Sequence, residues 1–245
     1  MITRAEIKKY DRQIRLPGFG IKGQEKLKNS IFFIAGAGGL GSPIAMYLAL
    51  AGAGTIRIVD YDNVSLSNLN RQLLYGNDDI GKKKADTAKA KLIEMNRNIR
   101  IEAVNATITN DNIFHLADNC DLILDATDNF HTRYVLNEAA LKMKIPFVYG
   151  GIYGLEGALT TIIPGQTACL RCIFKNPQFP SETPPVLGVV PGAIGCLQAL
   201  EAIKYVTGIG KLLTNRMLMF DGIGMKFRKL RLKRDPECSD CFNLN

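Results

Sequence analysis

Short apolar, β-prone runs alternate with longer stretches whose apolar positions recur every three or four residues, and the alternation organises most of the chain. Residues 4–29 open with a helix, turn through RLPGFG and continue as a short helix over 23–29. An apolar strand at 31–35 then leads through a glycine-rich turn into a helix over 39–52 and a second strand at 55–60. After a polar loop, residues 81–96 have helical composition, 99–104 form a strand and 110–118 a short helix. The run 121–125 is a buried strand ending in DATDN, followed by a helix over 130–143 and a strand at 146–150. Strands and helices alternating this regularly predict a parallel sheet covered on both faces. From Gly151 the pattern changes, and IYGLEGALTTIIPG predicts antiparallel strands with turns. A proline-rich loop at 176–185, a helix over 192–207 and strands at 215–221 and 225–233 complete the chain, with no internal repeat.

The glycine turn carries the strongest local signal. Gly36, Gly38 and Gly41 stand at GxGxxG spacing between a strand and a helix. The first glycine permits the tight turn, the second lets a phosphate approach the backbone, and the third brings helix and strand together. Amides at the helix start then face an anion, with the helix dipole behind them. Asp60 arrives at the end of the next strand, where an acid accepts hydrogen bonds from ribose hydroxyls. Packing alone also uses glycines, but strand, helix, strand and terminal acid in register favour a nucleotide. The fingerprint suits NAD as well as ATP. The expected fold is α/β: a Rossmann-like, doubly wound, mostly parallel sheet with C-terminal antiparallel strands.

A chain of 245 residues with 47% hydrophobic content can bury a full core. We expect one domain over 1–245, with the nucleotide-binding core at 30–150 and the antiparallel strands, crossover loop and cysteine knuckles at 151–245. The start MITRAEIKKYDRQIR is too polar for a secretory signal, and no run of about 18 apolar residues occurs, so the expected location is cytoplasmic. Lys+Arg 31 against Asp+Glu 23 leaves a net charge of +8, part of it in KFRKLRLKR at 226–234. That run suits a late strand with one wet basic face, as a solvated edge or a dock for an acidic partner. Nucleic acid is disfavoured because no aromatic-interleaved groove or recognition helix accompanies it.

Four of the six cysteines form two CxxC pairs, Cys169 with Cys172 and Cys238 with Cys241. Two such knuckles can place four thiolates around one tetrahedral zinc ion, a closed and therefore structural site. On the zinc-finger scale its worth approaches about 10–16 kcal/mol. Redox pairs or disulfides are the alternatives, disfavoured in a cytosolic setting without a thioredoxin-like pattern.

Beyond Asp60, SLSNLNRQ offers Asn68, Arg71 and Gln72 at the sheet's carboxyl edge. A dehydrogenase needs no arginine there, whereas a triphosphate requires cations. Arg71 can fork two phosphate oxygens, and Lys84 can serve as a movable point charge on the leaving pyrophosphate. Asp128 is assigned to magnesium, since a carboxylate among phosphates otherwise repels them. Against this, Asp128 and Asn129 can simply cap the helix beginning at Phe130, and Lys82 and Lys83 read as surface charges.

With these residues in view, the chain resembles the family that includes the MoeB, ThiF and HesA adenylyltransferases and the ubiquitin-activating enzymes. The resemblance covers essentially the whole length, through YDRQIRLPGFG, GAGGLG, DYDNVSLSNLNRQ, Lys84, DATDN, both CxxC knuckles and GCLQALEAIKYVTG. It implies ATP rather than NAD, with Asp60 on the ribose, Asn68, Arg71 and Lys84 around the phosphates, and Asp128 on Mg2+. Gly36, Gly38, Gly39, Gly41, Asp62, Ser67, Gln72 and Asn129 complete the implied nucleotide set. It also implies a homodimer in which Arg12 reaches the neighbour's nucleotide, and structural zinc. The implied reaction adenylates the C-terminal glycine carboxylate of a small ubiquitin-like sulfur carrier ending in Gly-Gly, in molybdenum-cofactor or thiamine biosynthesis.

One departure stands out. Members that form a thioester or acyl-disulfide carry a cysteine in the loop before the last helix, and FKNPQFPSETPPVLG has none, with Ser181 near the equivalent place. Cys196 and Cys120 read as core residues, and His115 and His131 as structural. A separate protein is therefore expected to supply sulfur. Activation of another carboxylate, on a modified tRNA base or a peptide natural product, and a non-catalytic nucleotide-binding subunit are the alternative functions.

Overall fold

The computed structural model describes the chain except Asn176 and residues 178–184 and 243–245. Helices α1 (Arg4–Lys9), α2 (Asp11–Ile14) and α3 (Gly20–Asn29) precede β1 (Ile31–Ala35). Then follow α4 (Gly41–Ala51), β2 (Thr55–Val59), α5 (Lys84–Met95), β3 (Arg100–Val104), α6 (Ile113–Leu116), β4 (Leu122–Asp125) and α7 (Phe130–Met143). The second half contains β5 (Phe147–Tyr153), β6 (Glu156–Ile162), α8 (Leu170–Ile173), α9 (Val189–Thr207), β7 (Arg216–Asp221) and β8 (Lys226–Arg231). The eight strands among the described residues make one sheet in the order β3-β2-β1-β4-β5-β6-β7-β8. Pairing is parallel from β3 to β5 and antiparallel from β5 to β8. The chain leaves β1 towards β2 and later returns to β4 on its other side, so a crevice opens between the carboxyl ends of β1 and β4.

Strand periodicity divides the core. Phe32 and Ile34 face one layer with Leu27, Ile44, Leu48, Val148 and Ile194, while Phe33 and Ala35 face the other with Val135, Leu136, Phe147 and Tyr149. Both faces of β1 are buried, which explains its unbroken apolar run.

Helix α9 is long and apolar enough, by length and composition, to cross a membrane. It lies instead against the sheet and α4, with Ile194, Ala199 and Ala202 buried. Its buried polar side chains bond inside the protein: Gln198 Nε2 donates to Asp125 O at 2.7 Å, and Thr161 Oγ1 donates to Glu201 Oε2 at 2.6 Å. The helix starts three residues earlier than expected because Pro191 falls in its first turn, where a missing N–H costs nothing.

Two other expectations are corrected. All six residues of β8 are exposed, Phe227 and Leu230 included, so this edge strand is wet on both faces rather than one. Cys196 is half-buried on α9, whereas Cys120 is buried beneath the Arg57 guanidinium, whose Nη1 lies 3.4 Å from its sulfur. His131 stands in the first turn of α7 and His115 within α6. Ser181 lies outside the described residues.

Gly195 is the close contact between α9 and α4. A Cβ there would lie 2.6 Å from both Leu40 O and Pro43 Cγ, whereas one on Gly192, in the same helix, meets nothing within 4 Å. Gly195→Ala should therefore cost about 1–3 kcal/mol, while Gly192→Ala should gain about 0.5–1 kcal/mol. Urea unfolding of the two variants checks this; equal midpoints would contradict a close contact between α9 and α4 at Gly195.

Candidate nucleotide and metal sites

The strands end at a cleft of about 210 Å³. Gly36, Gly38 and Gly39 line it after β1, Asp60 and Asp62 after β2, Ala106–Ile108 after β3, Ala126–Asn129 after β4, and Ile152 within β5. Its centre is built by close backbone approach. Gly36 has φ 101°, and a Cβ on it would lie 2.6 Å from Ala126 O. A Cβ on Gly41 would lie 2.0 Å from Gly36 O, so α4 starts directly against the turn. Gly38 is different: a Cβ there would meet only the Gln72 amide at 3.6 Å, an ordinary contact. Packing does not require that glycine, whereas a ligand approaching the backbone does.

The polar groups tie the turn to its neighbours. Asp60 accepts from Ala37 N at 2.7 Å and from Asp62 N at 2.8 Å. Burial pushes its carboxyl above the usual range, opposed by those two amides. The Tyr75 hydroxyl lies 2.9 Å from Ala37 O and 3.2 Å from Lys84 O, joining the glycine turn to the start of α5. Lys84 is buried, with Nζ 2.8 Å from Asp62 Oδ2, so its charge is directed rather than freely movable. Arg71 is half-buried and held by Ser67 O at 2.7 Å and Asn70 Oδ1 at 3.1 Å. Gln72 beside it is buried, and its Oε1 has no hydrogen-bond partner among the described residues. A buried acceptor left unpaired costs about 1–3 kcal/mol, which a ligand donor would recover.

On the other side of the turn, Asp128 lines the cleft and accepts only from Asn129 Nδ2, at 3.3 Å, among the described residues. Asn129 caps α7, accepting from Thr132 N at 2.9 Å, while also lining the cleft. Capping thus falls to Asn129, leaving Asp128 unoccupied by that duty.

Four residues of the expected set stand elsewhere. Gly41 lies under the turn and acts through packing. Ser67 contributes its carbonyl to Arg71, and its exposed hydroxyl meets Ser65 Oγ at 3.0 Å. Asn68 is buried away from the cleft lining and accepts from Ser65 N at 3.1 Å, so its side chain fixes the loop that carries Arg71. Arg12 is exposed on α2, whose Gln13 donates to Ala51 O at the far end of α4. Eleven helical residues separate that end from the glycine turn, about 16 Å at the α-helical rise.

The sequence reading missed Arg133, buried at the cleft wall and ion-paired through Nε to Asp125 at 3.1 Å, and Tyr75. A signal existed for the first: Arg133 is a cation one helical turn after the Asn129 cap, among the apolar positions Val135, Leu136, Ala139 and Ala140 that the helix buries.

The four CxxC cysteines come together beside α7. Sulfur separations are 3.6 Å for Cys169–Cys238, 3.5 Å for Cys172–Cys241 and 3.8 Å for Cys169–Cys172, and all four sulfurs lie within 4.8 Å of one another. Tetrahedral Zn–S bonds of 2.3 Å require about 3.8 Å, so the cluster fits such an ion. Burial pushes the Cys169 thiol up, a penalty that a central cation would remove. Asn137 links the cluster to α7, donating to Asp240 Oδ2 at 3.1 Å and accepting from Leu170 N at 2.8 Å.

A family model described as the ThiF family matches residues 10–240. The chain belongs to the ThiF family. A sulfur carrier protein adenylyltransferase of Thermus thermophilus is 40% identical, across 98% of this chain and 92% of that protein. The adenylyltransferase and sulfurtransferase MOCS3 of Drosophila sechellia is 42% identical across 98% of this chain, which spans 54% of that longer protein. Among solved structures, E. coli MccB with MccA-N7isoASN matches with TM-score 0.88 and 25% identity, over 97% of this chain and 75% of that one. E. coli MccB with ATP matches with TM-score 0.83 and 25% identity, over 91% and 70%. By these relationships this ThiF-family chain is an adenylyltransferase.

Within this family member the cysteine cluster joins segments far apart in sequence, so metal removal should have a local signature. Metal analysis should return about one divalent ion per chain. Chelation should then deprotect residues 170–173 and 232–242 in hydrogen exchange before the strands β1 to β4. A metal-free preparation with full protection in those segments would contradict a metal-held cluster.

Proposed function

We propose that the chain adenylates the C-terminal glycine carboxylate of a small ubiquitin-like sulfur carrier ending in Gly-Gly, consuming ATP and releasing pyrophosphate. The observation that supports this most is the meeting of Arg71, Lys84 and the bare Gly38 backbone at one rim, with Asp60 to one side and Asp128 to the other. Asp60 orients the ribose, the α4 amides and Gly38 admit the phosphates, and Arg71 and Lys84 hold the departing pyrophosphate. Asp128, which lacks a cationic partner among the described residues, would hold Mg2+, whose charge offsets that of the phosphates. Cys169, Cys172, Cys238 and Cys241 would hold structural zinc, clamping the C-terminal segment to α7 and α8.

The step is a displacement. A carboxylate oxygen forms a bond to the α-phosphorus while the bond to the pyrophosphate oxygen breaks, and no proton moves because the carboxylate is ionised near pH 7. Catalysis is then positioning and charge stabilisation rather than general-base work. Asn68 supports Arg71 indirectly, by fixing its loop. Arg12, about one α4 length from its own chain's turn, serves the nucleotide of a second copy, which makes the working form a homodimer. Sulfur comes from a separate donor acting on the adenylate, in molybdenum-cofactor or thiamine biosynthesis. A cysteine cluster spaced for a metal ion rather than for disulfides suits a cytoplasmic setting.

Activation of a peptide carboxylate is the second reading, favoured by the MccB likeness at TM-score 0.88. The 40% identity across nearly all of the Thermus protein favours the carrier reading over it.

Arg71→Ala should raise the adenylation barrier by about 3 kcal/mol, slowing pyrophosphate release by about two orders of magnitude. A pyrophosphate-release assay against small carriers ending in Gly-Gly measures this. Release at wild-type rates from the variant would contradict the role of Arg71, and pyrophosphate release by the wild-type chain with none of the carriers but with a short peptide would favour the peptide reading.

A further inference from the structure

Arg133 is the third cation lining the cleft, and among the cleft-lining residues it alone brings positive charge from the segment after β4. It is 7% exposed, and three elements hold its guanidinium. Nε pairs with Asp125 Oδ2 at 3.1 Å, and Nη2 donates to Thr127 O at 2.8 Å and Gly150 O at 3.3 Å. The group stacks between Phe130 and Tyr149, 5.0 and 5.3 Å from their ring centroids. Asp125 is in turn fixed by Thr127, whose N and Oγ1 donate at 3.0 and 2.7 Å. One nitrogen is left: Nη1 has no partner among the described residues, on a side chain that lines the cleft.

The sheet order says which wall of the cleft Arg133 belongs to. Asp60, at the end of β2, draws the ribose to the β2 and β3 side, and the glycine turn after β1 takes the phosphates. The remaining wall, from β4 and β5, is the side from which a second substrate reaches the innermost phosphorus. Thr127, Asp128, Thr132, Arg133 and Ile152 form it.

We infer that Arg133 Nη1 holds one oxygen of the incoming C-terminal carboxylate of an extended peptide chain, leaving the other oxygen to attack. This deepens the adenylation reading and rests on it. During the step the held oxygen becomes the acyl carbonyl, the attacking oxygen bridges to phosphorus, and pyrophosphate carries away the displaced electron pair. Because Nε and Nη2 are anchored, the remaining donor is preorganised and loses little freedom on binding.

The test compares a labelled synthetic peptide ending in Gly-Gly as free acid and as C-terminal amide. Each is titrated by fluorescence anisotropy into the full chain with a non-hydrolysable ATP analogue. Arg133→Lys keeps a charge opposite Asp125, and Arg133→Met paired with Asp125→Asn leaves no lone buried carboxylate to unfold the protein. The wild-type chain should prefer the acid by about tenfold or more, the scale of a charge-assisted hydrogen bond. Both variants should bind acid and amide alike within about twofold, with affinity for the analogue within about threefold of wild type. Retained acid preference in the variants, or a loss of analogue affinity with the preference intact, would overturn the assignment. A wild-type chain that binds the analogue but neither peptide would overturn it as well, whereas failure to bind the analogue at all would sink the adenylation reading itself.

Discussion

The cleft depends on one steric constraint: after β1 the backbone passes so close to the end of β4 that no side chain fits between them. Gly36 turns at φ 101° against Ala126 O, and Gly41 starts α4 against Gly36 O. Any Cβ at either place would push helix, turn and β4 apart, and with them the amides at the start of α4. Hydrogen bonds reinforce the approach, with Gly36 N donating to Val59 O at 2.8 Å and Ala126 N to Ala35 O at 2.9 Å. The turn is therefore fixed to β2 and to β4 at once.

From that fixed point, charge is distributed by sheet order. Asp60 and the Asp62–Lys84 pair stand on the β2 side, joined to the turn through Ala37 N and the Tyr75 hydroxyl. Asp128 and the Asp125–Arg133 pair stand on the β4 side, carried by α7 and its Asn129 cap. Each side thus presents both carboxylate and cation to the space above the turn: Asp60, Asp62, Arg71 and Lys84 from the segment after β2, and Asp128 with Arg133 from the segment after β4. Anchored charges of this kind are the preorganised electrostatics that a displacement without proton transfer would use. The cysteine cluster lies behind the β4 side and bears on it through α7, since Asn137 contacts Leu170 and Asp240 two helical turns from Arg133's own end of the helix.

Much of this was legible in the sequence, for identifiable reasons. The elements around the cleft obey simple periodicities and are punctuated by glycine, so β1, α4, β2, β4 and α7 fall within a few residues of their expected limits. Cysteine spacing announced a cluster because four thiols in two CxxC pairs have few other uses. What resisted was the direction of side chains. Asn68 sits among phosphate-binding residue types, yet its carboxamide oxygen turns back to Ser65 N, closing the short helical turn in which it stands. Arg133 reads as an ordinary helix cation, and only the fold brings Asp125, Thr127 and Gly150 around it. The wetness of β8 on both faces follows from its place at the sheet edge, which no local pattern encodes.

The central claim is that a nucleotide lies across the carboxyl rim with its innermost phosphorus turned towards β4 and β5. A crystal structure of the chain with magnesium and a non-hydrolysable ATP analogue tests it most directly. Ribose oxygens on Asp60, phosphates between Gly38 and Arg71, and a metal on Asp128 are the predicted result. An empty rim, or a nucleotide whose phosphates point away from Arg71 and Asp128, would contradict it.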